Sequence, residues 1–242
     1  MADINAAVII TAGGLGKRFG GKGAEVLPKQ FIPLSGKPVI AYSILSFESS
    51  EFINEVIVVV PENWVEYTKR EIVDKFDLKK VSKVIAGGDE RQASVERGIH
   101  SISSKPDIVA IHDGVRPFVT LETIEEVITQ AGKSGGAIAA IPATDTIKKS
   151  GPEEIIENTL PRQDIWFAQT PQAFRYEILK EAFEKASEDG YLGTDESLLV
   201  ERLGQEIKLV KGSKYNIKIT APEDIELGEL ILSSGINSNK EN

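Results

Sequence analysis

The sequence predicts an α/β fold, a doubly wound and mostly parallel sheet flanked by helices. Short β-branched or small-apolar runs recur along the chain, as in Ala6 to Thr11 and Ile108 to His112, and read as strands buried on both faces. The stretches between several of them carry apolar residues three and four apart, the mark of amphipathic helices. At 242 residues, 41% hydrophobic and without an internal repeat or long linker, the chain fits one domain over residues 1–242. A domain of that size buries about three quarters of its unfolded surface and needs no metal or disulfide staple.

Taken in order, the expected elements are a strand at Ala6 to Thr11, a helix at Val39 to Phe47 and a strand at Glu55 to Val60. Helices follow at Trp64 to Phe76 and Ala93 to Ile102, then a strand at Ile108 to His112, a helix at Leu121 to Lys133 and a strand at Ala137 to Pro142. From Thr144 to Phe174 the rhythm breaks. Ile147 to Ser150 and Ile155 to Leu160 read as two extended pieces around Gly151-Pro152. A hairpin leaving a compact sheet exposes its edges and needs cover. A second copy of the chain is the simplest cover, so residues 144–170 are expected to form a β-arm for dimerisation; a solvent-exposed excursion is the alternative.

Helical patterning returns at Tyr176 to Ser187 and at Asp195 to Leu203, the latter stopped by Gly204. Ile207 to Val210 reads as a strand and Tyr215 to Thr220 as a short extended piece. Thr220 with Glu223 forms a capping box for a final helix through Leu232, with Pro222 in its first turn. Residues 234–242 are small and polar, a frayed tail.

Composition excludes several functions. With no cysteine there is no disulfide, thiolate zinc site, iron–sulfur cluster or cysteine nucleophile. His100 and His112 alone cannot build a multi-histidine metal site within one chain. A net charge of −9 argues against non-specific binding to nucleic acid or to a membrane surface. The first apolar run has an acid and no basic region before it, and Gly13-Gly14 cuts it short, unlike a signal peptide. No apolar stretch approaches the roughly 18 residues of a membrane span. The expected location is the cytoplasm.

The first strand runs into Thr11-Ala12-Gly13-Gly14-Leu15-Gly16-Lys17-Arg18-Phe19-Gly20-Gly21-Lys22-Gly23. Glycine density after the first strand of an α/β sheet suggests a backbone cradle for phosphate. Two familiar templates fail. Gly16 to Gly23 offers G-x-x-x-x-G-K, but Gly23 stands where a P-loop needs Ser or Thr. Gly14-x-Gly16 begins a dinucleotide fingerprint, but Phe19 takes the third glycine position. What remains is a glycine loop with Lys17, Arg18 and Lys22, followed by Pro28-Lys29-Gln30. Such cations suit a reaction in which charge builds on phosphorus; a tight turn with solvated cations is the bland alternative.

The ordered blocks Ala12-Gly13-Gly14-x-Gly16-x-Arg18, Pro28-Lys29-Gln30 and Gly87-Gly88-Asp89-Glu90-Arg91-x-x-Ser94-Val95 resemble the sugar-phosphate nucleotidyltransferases. Five further blocks narrow the likeness: His112-Asp113-Gly114-Val115-Arg116-Pro117, Asp145-Thr146-Ile147-Lys148, Gln169-Thr170-Pro171-Gln172, Thr194-Asp195 and Asn216-Ile217-Lys218-Ile219-Thr220. Together they resemble the 2-C-methyl-D-erythritol 4-phosphate cytidylyltransferase family, from about Ala6 to the final helix. The resemblance implies a Rossmann-like sheet with a β-arm that interlocks in a homodimer. It also implies transfer from CTP to methylerythritol phosphate with release of pyrophosphate, a step of non-mevalonate isoprenoid synthesis.

The same resemblance places residues. Ala12, Gly13, Gly14 and Gly16 would line the CTP phosphates, and Arg18 and Lys29 would stabilise the α-phosphorus and the departing pyrophosphate. Gly87, Gly88, Asp89 and Ser94 would read cytosine. Asp113 would ligate Mg²⁺, or Mn²⁺, with phosphate oxygens and water completing the shell. His112 is instead expected to be packed or hydrogen-bonded. Arg116 would contact the sugar phosphate, and Thr146, Arg162, Thr170, Thr194 and Lys218 would form the acceptor pocket. Arg162, near the end of the arm, would reach the partner's site in a dimer, and with Lys218 hold the acceptor in line.

One departure is that Gly20-Gly21-Lys22-Gly23 lengthens the loop between Arg18 and Lys29 relative to many members. Which of Lys17, Arg18 and Lys22 meets the phosphates is thereby left open, with Arg18 the expected one. Two other functions stay in view: a ribitol-5-phosphate cytidylyltransferase, which shares most of these blocks, and a nucleotide-binding relative without transfer chemistry.

Overall fold

The computed structural model of the chain describes residues 4–14 and 27–235. Its centre is β1 (Ala6–Thr11), six consecutive buried residues. In chain order there follow α1 (Val39–Glu48), β2 (Ile53–Val60), β3 (Val81–Ala86), α2 (Arg91–His100), β4 (Ile108–Asp113), α3 (Leu121–Ser134) and β5 (Gly136–Pro142). The second half comprises β6 (Ile147–Ser150), β7 (Ile156–Leu160), β8 (Trp166–Arg175), α4 (Tyr176–Glu188), α5 (Glu196–Glu201), β9 (Ile207–Lys211) and α6 (Glu223–Ser233). A seven-stranded sheet has the order β9-β5-β8-β4-β1-β2-β3. Within this sheet, among the described residues, only β8 runs antiparallel to its neighbours.

Alternation along the strands makes this a two-faced sheet. Val8 and Ile10 of β1 join α1 and α3 in one core, through Ile40, Ile44, Phe47, Ile124, Val127 and Ile128. Ile9, between them, points the other way into a second core with Val95 and Ile99 of α2 and Leu179 and Phe183 of α4. Fully burying one such side chain contributes about 1.5–3 kcal/mol, so each strand is held from both sides. Helix α2 comes close because Gly98 faces β1: a Cβ there would stand 2.5 Å from Ile9 Cγ2.

Three expectations are corrected. Val81–Ala86, unassigned from its sequence, is the edge strand β3; Val84 is its one buried residue, and Ser82 and Lys83 are exposed, so its pattern is faint. The rhythm break does not extend to Phe174. The hairpin β6–β7 closes at Leu160, and Trp166–Arg175 returns as an internal strand between β4 and β5. The Thr220–Glu223 capping box is not formed: the final helix has no side-chain cap, and it is Asp224 whose Oδ2 accepts from the Thr220 and Ala221 amides and from the Thr220 hydroxyl, tying the chain before the helix to its first turn.

Register aligns the ends of the strands. Thr11 pairs with Val59 on one side and Asp113 on the other, and Val60 pairs with Ala86. The loops after β1, β3 and β4 therefore leave from one edge of the sheet, beside β1 where the strand order reverses, the place at which open α/β sheets bind ligands. The C-terminal tail lies outside the described residues from 236 onward. Among the described residues no helix is long and apolar enough to cross a membrane.

Candidate active site

Three loops meet at that edge around a cleft of about 180 Å³. The first continues β1. Ala12 still donates its amide to Val59, 2.7 Å away, and its carbonyl accepts 2.6 Å from Nε2 of Gln30. Gln30 is itself buried, so the Pro28-Lys29-Gln30 segment is anchored to the glycine loop by its glutamine and carries Lys29 to the cleft wall. Gly16 and Arg18, with Lys17 and Lys22, lie outside the described residues.

The second loop follows β3. Buried Ser94 accepts from the Gly88 amide at 3.0 Å and donates to the Glu90 carbonyl at 3.1 Å. A Cβ on Gly87 would lie 2.8 Å from Ser94 Oγ, and one on Gly88 2.7 Å from the Ala93 Cβ. These glycines are therefore a close approach of two backbones around Ser94, more than a strand-ending turn. A Cβ on Gly13 would also meet Ser94 Oγ, at 3.3 Å, so the two glycine segments face each other across this hydroxyl.

The third loop begins at Asp113, the last residue of β4, which is only 6% exposed and lines the cleft. Lys218 Nζ stands 2.8 Å from its Oδ2 and Arg116 Nε 3.4 Å from the same oxygen, while Arg91 Nη2 is 3.5 Å from Oδ1. Burial alone would raise the Asp113 pKa, but Lys218, Arg91 and Arg116 outweigh it and hold the carboxyl well below the usual range. Asp113 is thus a permanent anion at neutral pH.

A buried relay fixes the backbone beneath it. The Asp113 amide donates to Thr170 Oγ1 at 3.0 Å, and that hydroxyl lies 3.0 Å from His112 Nδ1. His112 Nε2 lies 3.1 Å from the Arg116 carbonyl, which can only accept. The partners assign the tautomer: Nε2 carries the proton, and Thr170 donates to Nδ1. Burial pushes the imidazole down to about 4, so it stays neutral. His112 is thus a hydrogen-bonded core histidine, as its sequence setting suggested. Arg116 Nη1 also donates to the Asn216 carbonyl at 2.8 Å, and Asn216 Nδ2 to the Thr170 carbonyl at 2.9 Å. This joins the Asn216-to-Thr220 segment, and hence Lys218, to the same frame.

Of the residues singled out from the sequence, Ala12, Gly13, Gly14, Lys29, Gly88, Asp89, Ser94, Asp113 and Lys218 line one cleft. Arg116 and Thr170 touch Asp113 directly. Thr146 and Arg162 stand apart, exposed at the base of the hairpin, where Arg162 donates to the Thr144 carbonyl. Thr194 is exposed on the approach to α5. Sequence reasoning assigned no role to Arg91 or Glu196. Arg91 lines the cleft and forms a bidentate pair with the buried carboxylate of Glu196, at 2.5 and 3.0 Å. An arginine at the first position of a helix that follows a glycine loop was the available signal.

Chemically, the cleft offers backbone amides, several cations and one ionised carboxylate. That set fits a polyphosphate with a hard divalent cation, which takes one or two protein carboxylates and completes its shell with phosphate oxygens and water. Among the described residues no three His, Asp or Glu side chains converge as a self-sufficient metal cage.

Residues 6–234 match the family model described as 2-C-methyl-D-erythritol 4-phosphate cytidylyltransferase. The protein of that name from Geotalea uraniireducens (strain Rf4) is 43% identical over 236 residues, spanning 96% of this chain and 98% of the relative. That from Syntrophus aciditrophicus (strain SB) is 44% identical over 224 residues, 93% of this chain and 94% of the relative. Among solved structures, the 4-diphosphocytidyl-2C-methyl-D-erythritol synthase of Anaerococcus prevotii DSM 20548 superposes with a TM-score of 0.83 at 28% identity, covering 95% of this chain and 96% of that one. The 2-C-methyl-D-erythritol 4-phosphate cytidylyltransferase of Thermus thermophilus gives 0.75 at 29% identity, with 96% and 99% covered.

Proposed function

The chain belongs to the 2-C-methyl-D-erythritol 4-phosphate cytidylyltransferase family of nucleotidyltransferases, and we propose that its cleft joins CTP to that acceptor. The products are the CDP-linked methylerythritol and pyrophosphate, in a step toward isoprenoid precursors. The observation that carries the reading is Asp113, an ionised carboxylate at the end of β4, ringed by Arg91, Arg116 and Lys218 and facing two glycine loops.

A phosphate oxygen of the acceptor attacks the α-phosphorus of CTP, and the α–β bridging bond breaks with its electron pair leaving on pyrophosphate. A phosphate monoester dianion is already a nucleophile, so no general base and no covalent enzyme intermediate are needed. The protein's task is positioning and charge stabilisation. Ala12, Gly13, Gly14 and Gly16 cradle the phosphates; Lys29, with Arg18, offsets charge on the α-phosphorus and the leaving group. Gly88, Asp89 and Ser94 hold the base, a role supported by the tight packing of Gly87 and Gly88 on Ser94 and Ala93. Arg116, Thr170 and Lys218, with Thr146, Arg162 and Thr194, hold the acceptor. Asp113 would hold Mg²⁺ or Mn²⁺, which when bound supplies Lewis-acid neutralisation of the triphosphate.

The working assembly is a homodimer built on the β6–β7 arm. Support comes from the apolar surface on and beside it: Ile155 is 64% exposed, Ile156 60% and Phe167 51%. In that dimer Arg162 serves the partner's acceptor site. The compartment is the cytoplasm, where CTP is available. The reading is tested by pyrophosphate release with CTP and Mg²⁺, comparing methylerythritol 4-phosphate with ribitol 5-phosphate. Release with the first alone is expected; preference for the second would reassign the acceptor, and silence with both would refute transfer chemistry.

A further inference from the structure

Glu196 opens α5, far along the chain from the glycine loops that line the cleft, yet the residue is 1% exposed and both its carboxylate oxygens are taken by Arg91. A buried carboxylate is costly: burial pushes the Glu196 pKa up, and the charge that opposes this is the guanidinium of Arg91, a cleft residue. The guanidinium is therefore shared unequally between two carboxylates. It sits at 2.5 and 3.0 Å from Glu196 in the planar, two-pronged arrangement that arginine favours, but reaches Asp113 Oδ1 with one nitrogen at 3.5 Å. The other Asp113 oxygen is already occupied by Lys218 at 2.8 Å and Arg116 at 3.4 Å. Oδ1 is thus the oxygen left for anything that arrives, on condition that Arg91 does not close on it.

We propose that Glu196 is a positioning residue that draws Arg91 away from Asp113 Oδ1 and so keeps that oxygen available to the divalent cation that accompanies CTP. The inference rests on the metal reading of Asp113 given above and adds the residue that makes it possible. Without the Glu196 charge, Arg91 turns to the nearest remaining carboxylate, which is Asp113. A cation of the protein's own then competes for the ligand.

The geometry further explains why the pair is buried. Burial and the pull of two carboxylates leave Arg91 a firmer cation than usual, since Glu196 and Asp113 outweigh the cost of desolvation. Such a charge beside a metal ligand is harmful unless its orientation is fixed, and the bidentate contact fixes it. Gln92, the next residue, ties the same segments together: its Nε2 donates to the Tyr191 carbonyl at 3.1 Å, and its Oε1 accepts from the Gly193 amide at 2.9 Å. The start of α2 and the segment leading into α5 therefore hold Arg91 and Glu196 in register.

The test is calorimetric titration of CTP into the protein without acceptor, once with Mn²⁺ and once with EDTA. The readout is the gain in CTP affinity that the metal confers. Wild type is expected to show a clear gain. Glu196→Gln is expected to lose about 10–100-fold of it, the usual effect of removing a group that supports a metal ligand, while its metal-free affinity stays within about threefold of wild type. Equal losses with Mn²⁺ and with EDTA would make Glu196 a structural residue and overturn the proposal. If Glu196→Gln does not fold, the double variant Arg91→Met/Glu196→Met removes both charges together. It is expected to keep the metal-conferred gain, because the competing cation has gone with its restraint, and loss of the gain there overturns the proposal. A wild type whose CTP affinity ignores Mn²⁺ overturns the metal reading itself, and this inference with it.

Discussion

Replacing His112 with asparagine tests the relay beneath Asp113, and it does so through pH. The imidazole is fully buried between Thr170 and the Arg116 carbonyl, and the Phe47 ring packs against it, tilted by 58° with ring centroids 4.9 Å apart. Burial pushes its pKa from 6.5 down to about 4. Unfolded chains take up this proton near 6.5 and folded ones only near 4, so the unfolded state binds more protons across that window. Stability is therefore complete above pH 6.5 and falls as pH drops toward 4. Between pH 7 and pH 5 the loss from this one residue works out at about 2 kcal/mol, with a full pKa unit worth about 1.36 kcal/mol. Urea unfolding of the metal-free protein, followed by tryptophan fluorescence at the two pH values, measures it. Wild type is expected to lose about 2 kcal/mol more than His112→Asn over that interval. Groups common to both proteins cancel in the difference. Equal losses would refute the assignment of a neutral, buried imidazole holding the Thr170 hydroxyl in place.

Three further outcomes are expected. Lys29→Ala should lower kcat by about 100- to 1,000-fold, the usual cost of one transition-state donor, with Tm close to wild type; a collapse in Tm would make Lys29 structural. Arg162→Ala should raise KM for the acceptor more than for CTP, and mixed dimers with a Lys29→Ala partner should regain activity; no regain would remove the claim that Arg162 acts across the interface. Gly98→Ala should destabilise the fold by about 1–3 kcal/mol in urea unfolding, the range for overpacking, because the added methyl meets Ile9. Unchanged stability would show that α2 and β1 are not in close contact there.

The reach of the sequence followed the strength of its patterns. Ala6–Thr11 and Ile108–Asp113 are buried throughout, and their apolar runs, Ala6 to Thr11 and Ile108 to His112, read directly as inner strands. Strand β8 was hidden because its inner half contains Gln169, Thr170 and Gln172, polar side chains buried on hydrogen bonds to Ser213, His112 and Asp195. No apolar periodicity announces such a strand, since its burial is satisfied by partners distant in sequence. The first glycine loop and Asp113 were legible because each comes at the end of a strand that reads directly from the sequence, at the edge where ligands bind. Gly87-Gly88 stood out only through the family resemblance, since the strand before it, Val81–Ala86, carries a faint pattern. Glu196 was not: its partner Arg91 lies 105 positions away, and a lone glutamate before an apolar run reads as an ordinary first-turn acid.

The most direct test of the central claim is a competition. CTP and Mg²⁺ are supplied with equimolar methylerythritol 4-phosphate and ribitol 5-phosphate, and the products are read by ³¹P NMR. The account predicts pyrophosphate and a single new pair of coupled diphosphate resonances, those of CDP-linked methylerythritol, in equal amounts. A CDP-ribitol signal as the main product, or unchanged CTP after prolonged incubation of folded protein, would contradict it.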